Sequence, residues 1–273
     1  MKKTLAIVTQ RSTARTAAVR FARTSLPAKK PMTSHPATAG PRTLAIDIGG
    51  TGIKMIALDA RGRPASERQR ELTPRPATPG AVFAVIRKMI DAQADFERVS
   101  VGFPGVVVRG VVRTAPNLDD KAWRNVKLQD KIAQYTKKPT RVINDADLQG
   151  YGAIKGRGVE VVLTLGTGLG SALFLDGVLV PNLELGHHPF RGRKTYEELV
   201  SDQQLKKIGK KRWRKRVAAI LEQVDLLFNC DAVHVGGGNA LRLKTPLPPK
   251  VSVFENVEGL TGGIRLWQHL PLT

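Results

Sequence analysis

Three stretches of the 273-residue chain place bare, flexible backbone at the end of an apolar run. In AIDIGGTGIKMIALDARG, residues 45–62, an acid (Asp47), three glycines (Gly49, Gly50, Gly52), Thr51 and Lys54 lie between two apolar segments. In EVVLTLGTGLGSALFLDGVLV, residues 160–180, Gly166, Thr167 and Gly168 take the same place. In AVHVGGGNALRL, residues 232–243, the turn is Gly236, Gly237, Gly238 and Asn239. Glycine admits positive φ and lets backbone N–H groups approach a ligand, and successive N–H groups make a concavity suited to an anion. A single such turn also serves an ordinary hairpin. Three of them converging on one point fit a phosphate-bearing substrate held between two related lobes.

Such turns need strands behind them. Leu44–Ile48 reads as a buried strand and Ile53–Leu58 as its antiparallel return. After the breaker cluster PRPATPG (74–80), Val82, Val85, Ile86, Met89 and Ile90 recur at three-and-four spacing, which predicts a helix over 81–96. RVSVGFPGVV (98–107) reads as strand, turn and strand, 123–138 as a helix, and PTRVIND (139–145) as a further strand. The two glycine hairpins share a shape, which suggests an internal duplication. A long lysine-rich helix is expected over 196–229. The alternation predicts a mixed α/β fold.

Composition narrows the class. With 41% hydrophobic and 25% charged residues the chain is a globular protein, and no apolar run approaches the roughly 18 residues of a membrane span. A membrane partner is therefore not expected. The one cysteine, Cys230, excludes an internal disulfide or a multi-cysteine zinc site, fits a cytoplasmic protein, and reads as core packing. Net charge is +21, and residues 1–42 hold nine Lys or Arg and no acid, so that segment reads as a disordered basic tail. The remainder is basic as well, and such a field attracts polyanions. Residues 203–216, QQLKKIGKKRWRKR, carry eight basic residues and no acid: either a solvated helix face or a track for a polymeric phosphate.

DIGGTGIK, LGTGLGSALFLDG and VGGGNA together resemble the first phosphate loop, second phosphate loop and adenosine loop of the actin-like ATPase and sugar kinase superfamily. Within it the chain is similar to the ROK (repressor, open reading frame, kinase) family, through NDAD (144–147) and ELGHH (184–188). TLGTGLGSALFLDGVLVPNLELGH and GLTGGIRLW are closer still to its polyphosphate glucokinase branch, which also lacks the cysteine-rich zinc motif of many relatives. The resemblance implies a two-lobed actin-like (ribonuclease H-like) α/β fold with the active site in the interlobe cleft. After the tail it implies a small lobe over 43–143 and a large lobe over 144–273, whose last residues pack back on the small one.

It also implies roles. Asp145 would be the general base toward a sugar primary hydroxyl, although an aspartate in that place also serves as a helix N-cap. Asn144, Glu184, His187 and Glu197 would bind the sugar, with Glu198 able to take the place of Glu197; the alternative for His187 is a structural histidine. Asp47 would hold a hydrated Mg²⁺. Gly49, Gly50, Thr51, Gly52, Gly166, Thr167 and Gly168 would cradle phosphate, and Lys54 would neutralise its charge or stay solvated. Gly236, Gly237, Gly238 and Asn239 would meet a nucleotide. The implied partners are glucose with inorganic polyphosphate, ATP or both, and a second copy in a homodimer; nucleic acid is not expected. A strictly ATP-dependent hexokinase of the same family, acting on glucose, mannose or an N-acetylhexosamine, is the first alternative. A non-catalytic sugar-sensing or nucleic-acid-binding relative is the second.

Overall fold

The computed structural model describes residues 40–93, 95–243 and 246–268. Most of the expected basic tail lies outside these residues. Its last position, Arg42, already belongs to the fold: its N–H donates to the Glu97 carboxylate and its carbonyl accepts from Glu97 N at 3.0 Å.

The first half builds one sheet. Strand β1 (Thr43–Ile48) is buried throughout and pairs antiparallel with β2 (Gly52–Leu58), which pairs antiparallel with β3 (Gln69–Leu72). Helix α1 (Pro79–Asp91) begins where the Thr78 hydroxyl accepts from Ala81 N and Pro79 presets φ, and it buries Val82, Phe83, Ile86, Met89 and Ile90. It ends five residues before the apolar pattern suggested. Strand β4 (Arg98–Phe103) lies parallel to β1. The short hairpin β5 (Val107–Val108) and β6 (Val111–Val112), α2 (Asp120–Trp123) and α3 (Leu128–Thr136) lead to β7 (Thr140–Asn144), parallel to β4. The helix expected over 123–138 is thus two, because residues 124–127 leave helical geometry. Trp123 fills the core beside Phe83 and Phe103, its indole N–H donating to Ala77 O at 2.8 Å.

The second half repeats the plan. Helix α4 (Asp145–Ala153) leads to β8 (Val159–Leu165), β9 (Leu169–Leu175) and β10 (Val178–Val180). A 3₁₀ turn (Leu185–His187), the hairpin β11 (Pro189–Arg191) and β12 (Lys194–Thr195), and helices α5 (Tyr196–Val200) and α6 (Asp202–Phe228) follow. Strands β13 (Ala232–Gly236) and β14 (Val251–Val253) and helix α7 (Asn256–Arg265) complete the described chain. Strand orders are β3-β2-β1-β4-β7 and β10-β9-β8-β13-β14, each an antiparallel hairpin meander joined to two parallel strands. The likeness of the two glycine hairpins therefore extends to two whole sheets.

The helix expected over 196–229 is interrupted at Ser201, whose hydroxyl caps α6, and is kinked at Gly209, where φ is +76°. Helix α7 crosses α4 and also covers the first sheet, with Leu260 and Ile264 packed on Ala45, Ile56 and Leu58. Cys230 is buried. Among the described residues no helix is long and apolar enough to cross a membrane.

Candidate active site

The first hairpin turn of each sheet faces the same cleft, a cavity of about 500 Å³. From the first sheet it receives Asp47, Gly49, Gly50, Thr51, Gly52 and Lys54; from the second, Gly166, Thr167 and Gly168. The junction of β7 with α4 supplies Asn144 and Asp145, the segments after β9 supply Glu184 and Glu197, and the turn after β13 supplies Gly237, Gly238 and Asn239. His187 and Gly236 are not in its lining. A Cβ on Gly236 would meet the Phe254 ring at 2.2 Å, so that glycine makes room for packing.

The two turns are built alike. Gly49 N donates to Gly52 O, and Gly166 N to Gly168 O, each at 3.0 Å. The first is braced from the segment after β3: the Thr73 hydroxyl donates to Gly49 O at 2.6 Å and Arg75 Nη2 to Gly50 O at 2.8 Å. The second is laced to the third turn, where Asn239 N donates to Leu165 O, and to the start of α6, where Asp202 N donates to Gly166 O, both at 2.9 Å.

Asp145 opens α4 at the end of a buried strand, where Asn144 is the cap. Asn144 Oδ1 accepts from Ala146 N at 2.7 Å and from Asp147 N at 3.2 Å, while its amide donates to Gly105 O at 3.2 Å and to Glu184 Oε1 at 3.4 Å. All four of its hydrogen-bonding positions are used within the chain. Asn144 itself lines the cleft, and these bonds tie it to the start of α4 and to Glu184. The Asp145 carboxyl is held well above the ordinary carboxylate range by burial, then by the Asp47 charge; the Ala146 N–H opposes this, and Glu184 and Asp147 add to it. A raised carboxyl is a stronger base once ionised.

Opposite stands Asp47, its Oδ2 accepting from Lys54 Nζ at 2.7 Å, so the lysine charge is matched to that acid. Burial raises the Glu184 carboxyl, with His187 opposing and Glu197 reinforcing. His187 Nε2 lies 3.3 Å from Glu184 Oε2 and is half exposed, touching the site through that carboxylate. Between the two candidate glutamates the geometry is plain. Glu198 forms a capping box with Thr195 at the start of α5, whereas Glu197 reaches into the cleft and accepts from Leu169 N at 3.0 Å. The Ser171 hydroxyl donates to Leu183 O and accepts from Leu185 N, fixing the backbone on both sides of Glu184.

The cleft holds residues that spacing did not reveal, among them Arg68, Arg70, Asn117, Gln149, Ser171 and Asp202. Strand register is the signal for one of them: Lys54 faces Asp47 on one side and Arg70 on the other. None of residues 203–216 lines the cleft. Among the described residues no cluster of three or more His, Cys, Asp or Glu is arranged to hold a metal.

The family model of the ROK family matches residues 43–196, more than half of the chain. The chain belongs to the ROK family. Its relatives within that family include the polyphosphate glucokinase of Mycobacterium leprae, 36% identical over 261 residues, which are 88% of this chain and 80% of that protein. Among solved structures, the inorganic polyphosphate/ATP-glucomannokinase from Arthrobacter sp. strain KM is similar at a TM-score of 0.74 and 33% identity, over 84% of this chain and all of that one. A ROK family glucokinase from Streptomyces griseus, in complex with glucose and AMPPNP, shares the fold at a TM-score of 0.72 and 23% identity, with 84% of this chain and 100% of that one covered. This ROK chain has the two-lobed actin-like fold.

Proposed function

We propose that this ROK protein transfers the terminal phosphoryl group of inorganic polyphosphate to the 6-hydroxyl of glucose, with ATP as a second donor. The observation that carries the reading is the position of Asp145, a partly exposed carboxyl at the start of α4 in one cleft with both phosphate-type turns. The glucose hydroxyl gives its proton to the Asp145 carboxylate as its oxygen bonds to phosphorus, and the bridging P–O bond breaks to leave a polyphosphate one unit shorter. Glu184 and Glu197 present acceptors to the sugar, and a sugar that leaves a half-buried carboxylate unmatched binds poorly. N–H groups of the Gly49–Gly52 and Gly166–Gly168 turns and the hydroxyls of Thr51 and Thr167 hold the transferring phosphate. The names of the Mycobacterium leprae and Arthrobacter relatives support polyphosphate as donor. The Gly237–Asn239 turn in the cleft favours ATP as the second.

Asp47 fits a magnesium ion held through water. Its carboxylate faces the cleft close to Asp145, and a lone carboxylate suits a cation that keeps its hydration and takes other ligands from the donor's phosphates. When bound, Mg²⁺ supplies charge stabilisation at the transferring phosphoryl.

The test offers the full chain glucose and Mg²⁺ with polyphosphate or ATP in parallel and measures glucose 6-phosphate. Product from polyphosphate is expected. Product from ATP alone would replace the donor assignment, and product from neither would overturn the enzyme.

A further inference from the structure

We propose that the distal phosphates of a polymeric donor lie along the β3 edge of the first sheet, held by Arg70 and Arg68, and that the basic face of α6 does not carry them. This rests on the polyphosphate reading above.

Asp47, Lys54 and Arg70 are direct register partners across β1, β2 and β3. Directly paired residues share one face of a sheet, and strands lie about 4.8 Å apart, so this row runs from the acid at the transfer point to the open edge in about 10 Å. Arg68 stands two positions before Arg70, just ahead of β3, and lines the same cleft. All four line the cleft. Lys54 is matched by Asp47, whereas neither arginine forms an ion pair with any described residue. The wall therefore carries two uncompensated guanidinium groups, whose forked donors suit phosphate oxygens.

The strand is tied to the phosphate turn as well. Arg70 lies across Gly52, its Nε 3.1 Å from where a Cβ would stand there, and Thr73 and Arg75 hold the carbonyls of Gly49 and Gly50. A phosphate seated in the turn has Arg70 as its next cationic neighbour outward, and β3, an edge strand, leaves the way open.

The path toward α6 lacks these features. That helix meets the cleft only through Asp202, whose carboxylate is taken by Lys206 Nζ at 2.6 Å, and Arg214 Nε is spent on Arg242 O. A polyanion leaving that way would pass an acid before reaching a free base. ATP needs neither route, because its nucleoside ends at the Gly237–Asn239 turn.

The experiment compares the full chain with the double variant R68Q/R70Q and the triple variant K210Q/K211Q/K215Q, measuring KM for long-chain polyphosphate, tripolyphosphate and ATP, with glucose affinity by titration as the check on folding. The arginines are exposed, so both variants should bind glucose as the parent does. The expected result for R68Q/R70Q is a rise in KM for long-chain polyphosphate of about tenfold, the scale of losing charge-assisted contacts, with a smaller rise for tripolyphosphate, ATP within about twofold and the triple variant unchanged. Equal rises for ATP and long-chain polyphosphate, no rise at all, or a rise in the α6 variant instead would each overturn the proposal while leaving the enzyme's function standing. An unsubstituted chain that uses ATP but not polyphosphate would remove the donor reading, and this proposal with it.

Discussion

Burial and the Asp47 charge push the Asp145 carboxyl upward, Glu184 and Asp147 add to the effect, and the Ala146 N–H alone among the named neighbours pulls it back. A base must be ionised to accept a proton. As pH falls through this raised value the base is lost, so kcat/KM for glucose should drop on the acid side at a pH above the ordinary aspartate value of about 3.9. A profile flat down to that value would contradict the assignment. Asp147, two residues on, makes a separate prediction. Burial pushes it to about 7, its Oδ2 accepts from Asn182 N at 3.1 Å, and Asn182 in turn pairs with both backbone groups of Val107. Its folded-state pKa lies above the unfolded one, so the folded chain binds the proton more tightly; this stability is present below about pH 4 and is lost as pH rises through about 7. Asp147→Asn keeps an acceptor for Asn182 without the ionisation, and its Tm should fall less than the parent's between about pH 5 and about pH 8. Parallel Tm curves would show that Asp147 does not titrate in the fold.

The helices that join the sheets show where sequence patterns stop informing. Helix α4, DADLQGYGA, has no apolar stripe because it is buried on most sides, with Ala146, Leu148, Gly150 and Tyr151 all enclosed. Periodicity marks a helix with one wet face, so it does not reveal this one, and only the capping signal at NDAD points to its start. Helix α7, NVEGLTGGIR, is obscured by its glycines, which serve a close crossing: a Cβ on Gly262 would lie 2.2 Å from Leu148 O and 2.6 Å from Gly152 N. Helix propensity alone would make Gly262→Ala stabilising by about 1 kcal/mol. Contact with unyielding backbone outweighs that, and a net loss of about 1–3 kcal/mol is expected, read as a lower Tm. Because α4 carries Asp145 at its first turn, kcat should fall with it. A higher Tm would mean that the crossing is looser than described. By contrast, the paired glycine hairpins and α1 were legible because each combines a one-sided apolar pattern with a sharp end signal, whereas the choice between Glu197 and Glu198 depended on a capping box that spacing alone leaves open.

At the scale of the whole molecule, two sheets of the same strand order bring their first hairpin turns to one cleft, and α7 reaches from α4 to the first sheet. The duplication is visible in two short motifs; the proposed basic route is not, because Arg70 stands on an edge strand and joins the site through register with Lys54, and Arg68 lies just ahead of that strand. A net charge of +21 favours arrival of a polyanion from any direction, and in the proposed reading the turns, the arginine row and Asp145 set where it reacts. The central claim is that Asp145 accepts the glucose proton between those turns. Its most direct test measures glucose 6-phosphate formed from polyphosphate by the full chain and by Asp145→Asn, with glucose affinity determined on both. The account predicts product from the parent chain, turnover lower by about a hundredfold or more in the variant, and nearly equal glucose affinity. Turnover in the variant within a few-fold of the parent, or no product from the parent with any phosphate donor, would contradict it.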